Sequence, residues 1–124
     1  GTAALVEAAA VAALMAGTVA LFVWATRAMG RNWSIAARTR ADHSLVTTGP
    51  FARIRHPIYS ALFLLMLALA IATGHVRLLP VAVPLFAIGT FLRIGEEERM
   101  LRELFGASYV AWAARVPRFV PGLF

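Results

Sequence analysis

Two short polar motifs stand at the edges of apolar segments, and their residue types could do chemistry together. The first is Arg55-His56-Pro57-Ile58-Tyr59, and the second is Arg93-Ile94-Gly95-Glu96-Glu97-Glu98. Ionisable side chains at the end of an apolar segment often line a site, because such positions are costly for polar groups without a function. We therefore expect the His, Tyr, Arg and Glu side chains of these motifs to belong to one site of a small membrane enzyme.

Helical spacing separates the charges of the second motif. Arg93 and Glu97 stand four residues apart on one face of a helix, so both can point into one cavity. Glu98 and Arg102 have the same spacing on another face, which predicts a solvated, salt-bridged helix extension at the membrane surface. This interpretation also covers the remaining charges of the segment, which are Glu96, Arg99 and Glu103.

Each aromatic or imidazole group also has a plain structural interpretation. His56 stands before a helix-starting proline and can cap backbone groups, Tyr59 can belong to an interfacial aromatic belt, and His75 is an ordinary interfacial residue. Taken alone, the aromatic tail is typical of an interfacial anchor. Its members are Phe105, Tyr109, Trp112, Phe119 and Phe124, with Pro117 and Pro121 preventing further helix.

The composition indicates a membrane protein. The 124 residues are 60% hydrophobic and 15% charged, outside the usual balance of a soluble domain, and the length suits one domain, 1–124. The net charge of +6 comes from twelve arginines, but they lie between and after apolar segments, with no basic face interleaved with aromatics. We therefore predict no nucleic-acid partner. Without cysteine there is no disulfide, thiolate nucleophile or cysteine-based zinc site.

Three apolar segments predict transmembrane helices at about 3–28, 58–73 and 78–94. The first, interrupted by Glu7, is long enough to cross a hydrocarbon core of about 30 Å, and it lacks the basic start of a cleaved leader. The second begins after Pro57, which suits a first helical turn. The third continues as an amphipathic helix that Gly106 should end.

These segments predict an all-α integral membrane helical bundle, with the second and third helices forming a tight hairpin. A buried soluble hairpin is the alternative, but the first segment is too long and apolar to be hidden in so small a domain. The chain begins Gly-Thr without a Met, which is typical of a fragment and suggests further helices upstream.

Arginine placement orients the bundle. The arginines cluster in the 29–57 loop and the 95–124 tail, whereas the hairpin turn carries only Arg77. The positive-inside rule therefore predicts a cytosolic loop and tail. Both polar motifs would then meet at the cytosolic side.

The motifs together resemble a known family. The residues that carry the likeness are His43-Ser44-Leu45-Val46-Thr47-Thr48-Gly49-Pro50-Phe51, Arg55-His56-Pro57-Ile58-Tyr59, Arg93 with Glu97-Glu98 and Leu101, Phe105-Gly106-Ala107-Ser108-Tyr109, and Val116-Pro117-Arg118 with Pro121. In order and spacing they closely resemble the isoprenylcysteine carboxyl methyltransferase family, whose superfamily includes phospholipid N-methyltransferases. The match runs from about residue 43 to 121.

The resemblance implies an all-helical integral membrane methyltransferase that uses S-adenosylmethionine without a Rossmann sheet. It implies that Arg93 faces the acceptor and positions its carboxylate. It assigns the cofactor pocket to His43, Ser44, Leu45, Val46, Phe51, His56, Pro57, Ile58, Tyr59 and Glu97. Two departures are that Phe51 stands where the eukaryotic enzymes have Tyr, and that their upstream Gln has no counterpart in a chain without Gln.

The residue chemistry is compatible with this implication. S-adenosylmethionine needs an acidic partner, donors for its carboxylate and apolar or aromatic walls, which Glu97, His56, Tyr59 and Phe51 supply. Methyl transfer to a carboxylate requires alignment and exclusion of water but no general base, and an arginine such as Arg93 can hold a carboxylate bidentately. An amine acceptor would instead require a base, for which His56 or a neighbouring carboxylate is the candidate.

We therefore expect a lipophilic acceptor, either a small molecule or a prenylated cysteine, that arrives sideways among the membrane lipids. A carboxylate is the leading acceptor group, and an amine-bearing lipid is the close rival. A non-catalytic membrane helical module, or a subunit of a homo-oligomer, is the alternative from another class. No metal site is expected.

Overall fold

The computed structural model describes residues 1–30 and 45–124, which form four α-helices. They are α1 (Thr2–Met29), α2 (Pro57–Ala72), α3 (Leu79–Phe105) and α4 (Ala107–Arg115), with short 3₁₀ helices at Gly49–Ala52 and Val76–Leu78. No strand occurs within these two ranges. The prediction of an all-α chain is confirmed, and the three apolar segments correspond to α1, α2 and α3.

Proline and glycine set the helix ends where the sequence predicted them. Pro57 is the first residue of α2, because its fixed φ suits a first turn and its missing N–H would be unpaired there. Gly106 follows α3 with φ +53°, and its N–H donates to the carbonyl of Arg102 at 2.8 Å. A positive φ is accessible to glycine without the steric cost of a Cβ atom.

The long helices expose their apolar side chains. The segments Thr2–Met29 and Val76–Phe105 are long and apolar enough to cross a membrane, yet only 11% of either apolar window is buried within the protein. Large side chains such as Leu5, Leu85 and Leu92 are exposed. Lipid is the solvent in which such surfaces are stable. The fold is therefore that of an all-α membrane helical bundle.

Helices α1 and α2 pack closely along each other. Apart from Pro57 at the start of α2, their buried residues are small, namely Thr18 and Ala25 on α1 and Ala61 and Ala68 on α2. Small residues let helix backbones approach each other in lipid, where association depends on van der Waals contact rather than on the hydrophobic effect. The remaining elements are arranged around this pair of helices.

Helices α2 and α3 are connected by a short turn, as predicted for a hairpin, but they do not pack tightly along their length. Phe63 and Phe86 meet with ring centroids 5.9 Å apart, and an apolar cavity separates neighbouring parts of the two helices. The hairpin is thus open on one side.

Helix α4 folds back into the core, which the sequence did not predict. Tyr109 and Trp112 are buried together with Ala25, Phe51 and Val116, and the Trp112 indole N–H donates to the carbonyl of Phe51 at 2.9 Å. The prediction that the aromatic tail is an interfacial anchor is therefore wrong for Tyr109 and Trp112. Their apolar rings are covered by α1 and the Gly49–Ala52 turn instead of by the membrane interface.

Gly49 is a position where only glycine fits, and replacing it should weaken the fold. Its φ is +61°, and an added Cβ atom would lie 3.0 Å from Ala28 Cβ and 3.1 Å from Trp24 Nε1. We expect Gly49→Ala to lower the free energy of unfolding by about 2–4 kcal/mol, from backbone strain plus overpacking. Thermal unfolding in detergent micelles measures the effect.

The matched control is Gly74→Ala. Gly74 also has a positive φ, +73°, but no heavy atom within 4 Å of an added Cβ, so only the strain of about 1–2 kcal/mol applies. Equal destabilisation by the two substitutions would contradict the close packing of Gly49 against α1.

Candidate active site

A cavity of about 440 Å³ lies where the start of α2, the second half of α3 and α4 meet; we call it the polar cavity. It is within the size range of small-molecule sites. Its walls combine ionisable groups with apolar and aromatic side chains. They are Met29, Phe51, Arg55, His56, Pro57, Ile58, Tyr59, Leu62, Arg93, Glu97, Leu101, Tyr109 and Trp112.

Most of the site residues predicted from the sequence meet at this cavity. Phe51, the His56-Pro57-Ile58-Tyr59 run, Arg93 and Glu97 all line it. Leu45 and Val46 do not line it; they pack against the core cluster around Tyr109 and Trp112. His43 and Ser44 lie outside the described residues.

Three of these side chains are linked at the wall of the polar cavity. The Tyr59 hydroxyl donates to Glu97 Oε1 at 2.7 Å, and Arg93 Nε lies 3.8 Å from the same oxygen. Since both contacts use Oε1, Glu97 Oε2 can still accept a hydrogen bond. The Arg93 side chain is 57% exposed, so its guanidinium has room to bind an anion.

A second carboxylate, Glu98, is buried and is bound by two arginines and a histidine. Arg55 Nη1 donates to its Oε2 at 2.9 Å and Arg118 Nη2 to its Oε1 at 3.3 Å, while His56 Nε2 lies 3.0 Å from Oε2. An ionised carboxylate can only accept, so His56 Nε2 carries the hydrogen. We call this arrangement the Glu98 cluster.

Two sequence interpretations fail at the Glu98 cluster. The prediction of a solvated Glu98 paired with Arg102 is wrong, because Glu98 is 4% exposed and Arg55, His56 and Arg118 contact it. Helical spacing reveals which charges share a face but not what packs against that face. His56 is the N-cap residue of α2, but its side chain makes no capping hydrogen bond because it turns toward Glu98.

Backbone hydrogen bonds bring the end of the chain to this cluster. The N–H groups of Arg55 and His56 donate to the carbonyls of Pro117 and Arg118 at 2.8 and 2.9 Å. One turn into α2, the Ser60 hydroxyl donates to the carbonyl of Phe119 at 3.1 Å. Residues 116–124, the C-terminal segment, therefore lie against the start of α2.

The C-terminal segment closes a second cavity, of about 620 Å³, between α2 and α3; we call it the apolar cavity. Tyr59 lines both cavities. Of the described residues, Arg53 is the charged one at the apolar cavity, and none of its lining residues is acidic. The lining residues are Leu21, Trp24, Pro50, Arg53, Ile54, Tyr59, Ser60, Phe63, Leu64, Val83, Phe86, Ala87, Thr90, Phe91, Phe119, Val120, Pro121 and Phe124.

Tyr109 forms part of the wall of the polar cavity. Its side chain is fully buried, and its hydroxyl makes no hydrogen bond within 1–30 and 45–124. Burial raises the pKa of Tyr109, although the nearby Arg55 guanidinium acts in the opposite direction. Tyr109 therefore contributes its ring to packing, and its hydroxyl remains neutral at ordinary pH.

Comparison with known proteins gives consistent matches. The model of a family described as phospholipid methyltransferase matches residues 6–108. Protein-S-isoprenylcysteine O-methyltransferase B of Arabidopsis thaliana is 35% identical over 98 residues, covering 74% of this chain and 48% of that protein. The corresponding Schizosaccharomyces pombe enzyme is 33% identical over 98 residues, covering 74% of this chain and 40% of that protein.

A bacterial relative has a different name. The cobalt-zinc-cadmium resistance protein CzcN of Cupriavidus metallidurans is 32% identical over 96 residues, covering 77% of this chain and 44% of that protein. This chain spans about half the length of the curated relatives that it matches.

Two substitutions in α4 should separate a hydrogen-bonded aromatic from one that only packs. Trp112→Phe removes the donor to the Phe51 carbonyl and should lower the free energy of unfolding by about 1–3 kcal/mol. Tyr109→Phe removes a buried hydroxyl that forms no hydrogen bond and should leave stability within about 1 kcal/mol of wild type. Chemical or thermal unfolding in micelles compares the two, and a larger loss in Tyr109→Phe would contradict this assignment.

Proposed function

The chain belongs to the phospholipid methyltransferase family, and from this premise we propose that it is a multi-pass membrane enzyme that methylates a lipophilic carboxylate with S-adenosylmethionine. The observation that carries the proposal is a pair of adjoining cavities of opposite character. The polar cavity offers a carboxylate, an imidazole and aromatic walls, whereas the apolar cavity suits a hydrocarbon chain. Tyr59 borders both cavities, so ligands in the two could meet beside it.

The donors and acceptors of the polar cavity fit S-adenosylmethionine. Glu97 Oε2, which has no hydrogen-bond partner among the described residues, would accept from the ammonium or ribose hydroxyls, and Phe51 and Ile58 would cover the adenine. Arg55 adds positive charge that suits the cofactor's carboxylate, and His56 adds a polar imidazole ring. The bound cofactor would supply an electrophilic methyl group on a sulfonium sulfur.

The reaction requires little of the protein beyond alignment. A carboxylate oxygen of the acceptor would form a bond to the methyl carbon as the carbon–sulfur bond breaks, and the electron pair of that bond would go to sulfur. The products are a methyl ester and a neutral thioether, so no proton has to move. Opposite charges are neutralised in this step, and a cavity that excludes water favours it.

Arginines support an anionic acceptor. Arg93 lies beside Tyr59 and Glu97 with an exposed guanidinium, so we assign it to hold the reacting carboxylate. Arg53 adds a further positive charge at the apolar cavity, which has no acidic lining residue within the described parts of the chain. Such surroundings favour an anion over an ammonium group. The acceptor is therefore proposed to be prenylcysteine-like or another lipid carboxylate.

An amine-bearing lipid is the second candidate, and the His56–Glu98 contact is the observation that favours it. Glu98 holds the hydrogen of His56 on Nε2 and would stabilise an imidazolium, while Nδ1 could accept a proton from the amine. The carboxylate acceptor needs no such step.

We also propose that the site faces the cytosol. The 29–57 loop and the 95–124 tail contain most of the arginines, and the residues of the polar cavity come from the ends of these same segments. S-adenosylmethionine would then enter from the cytosol, whereas the acceptor would enter from the bilayer between α2 and α3.

Cofactor binding is the first test. Calorimetric titration of S-adenosylmethionine into the protein in nanodiscs should show binding by wild type. Glu97→Ala and His56→Ala should weaken it about 10-fold or more, because each removes a hydrogen bond involving a charged partner. Glu103→Ala, an exposed glutamate on the same helix, is the control and should bind like wild type. Undetectable binding by wild type would favour a non-catalytic helical module.

Acceptor chemistry is the second test. Transfer of labelled methyl to prenylcysteine, a fatty acid and an aminophospholipid should favour the carboxylates. Arg93→Ala should lower kcat/KM for the carboxylate about 10- to 100-fold, because it removes a charge-assisted hydrogen bond. Arg99→Ala, another exposed arginine on α3, should have little effect. Unchanged carboxyl transfer by Arg93→Ala would remove the role assigned to Arg93, and preferred transfer to the aminophospholipid would favour the amine mechanism.

A further inference from the structure

The Glu98 carboxylate lines neither cavity, although its partners Arg55 and His56 line the polar cavity. Glu98 follows Glu97 in α3, but an α-helix turns about 100° per residue, so the two carboxylates point in different directions. Glu97 lines the polar cavity, and Glu98 does not. Because Glu98 contacts neither proposed ligand site, any influence it has on the reaction acts through other residues.

The partners of Glu98 come from two distant parts of the chain. Arg55 and His56 precede α2, whereas Arg118 belongs to the C-terminal segment. A buried carboxylate is costly to desolvate and is stable only when such donors surround it. These parts of the chain must therefore stay together for Glu98 to remain buried as an anion.

On the polar side, Glu98 fixes the imidazole. His56 is 6% exposed, and its Nε2 is bound to Glu98 Oε2 at 3.0 Å. Its ring also lies 6.0 Å from the ring of Tyr59, measured between centroids. Without the carboxylate, the ring would lose the hydrogen bond that sets its orientation in the polar cavity.

At the apolar cavity, Glu98 anchors the C-terminal segment, which forms part of the cavity wall. Arg118 donates from Nε and Nη2 to Glu98 at 3.4 and 3.3 Å, and the next residue, Phe119, lines the apolar cavity. The Phe119 ring meets Phe91 edge-on, with centroids 5.6 Å apart. The anchor therefore lies one residue from the point where the C-terminal segment closes the cavity.

We propose that Glu98 is a positioning residue that couples the two cavities: one buried carboxylate orients His56 at the polar cavity and holds the C-terminal segment as a wall of the apolar cavity. The assignment of the cofactor to the polar cavity and of the acceptor to the apolar cavity rests on the proposed function. The two contacts can be separated, because the Arg118 side chain does not line the polar cavity and its neighbour Phe119 lines the apolar cavity.

The test compares Glu98→Gln with Arg118→Met in nanodiscs. Glu98→Gln should weaken S-adenosylmethionine binding about tenfold and raise the acceptor KM about tenfold. Arg118→Met should raise the acceptor KM about 3- to 10-fold while S-adenosylmethionine affinity stays within twofold of wild type. Arg115→Met is the control, since Arg115 is exposed and, among residues 1–30 and 45–124, donates only to the carbonyl of Ala111 in its own helix.

Hydrogen–deuterium exchange gives a readout that does not depend on methyl transfer. Amides of residues 119–124 should exchange faster in Glu98→Gln and Arg118→Met but not in Arg115→Met, and α1 should be unchanged in all three. Unchanged exchange of the segment in Glu98→Gln would overturn the proposal, as would an equal loss of cofactor and acceptor affinity in Arg118→Met. Failure of wild type to bind S-adenosylmethionine would defeat the proposed function, whereas the exchange result would still decide whether Glu98 holds the segment.

Discussion

The buried negative charge of Glu98 holds together the elements that form the candidate site. The Glu98 carboxylate has lost nearly all contact with solvent, and two arginines and a histidine replace its hydration. Such a charge is strongly destabilising when its partners are removed, because the desolvation cost remains without compensation. The start of α2, the second half of α3 and the C-terminal segment are therefore held in one arrangement by the need to keep Glu98 paired.

Helix α3 uses adjacent residues for different purposes. Arg93 and Glu97 share the face toward the polar cavity, whereas Glu98 faces the elements that build its walls. A ligand-facing carboxylate remains partly accessible, as Glu97 is, whereas a supporting carboxylate can be buried completely. Glu97 thus faces the candidate ligand site while the adjacent Glu98 supports the walls of that site. The rigid helix backbone fixes the positions of the two carboxylates relative to each other.

Much of this arrangement was predictable from the sequence. Hydropathy and the positions of Pro57 and Gly106 located α1, α2 and α3, and the four-residue spacing placed Arg93 and Glu97 on one face. The missed features all depend on contacts between distant segments. Trp112 packs against Phe51, and Arg118 donates to Glu98. Periodicity within a single helix does not reveal such contacts between distant segments. The same limit explains why the apolar cavity was not foreseen, since its walls come from four separate parts of the chain.

The length of α2 has a consequence for the surrounding lipid. Its 16 residues extend about 24 Å, which is less than the hydrocarbon thickness of about 30 Å that α1 can cross. Where α2 crosses a bilayer, the lipid beside it must therefore compress, or polar headgroups must approach the bilayer centre more closely there than elsewhere. Pro57 and Tyr59 lie at one end of this short helix. In a bilayer the polar cavity beside this end of α2 would then lie deeper than the ends of α1, within reach of the ionic end of a lipid in its own leaflet.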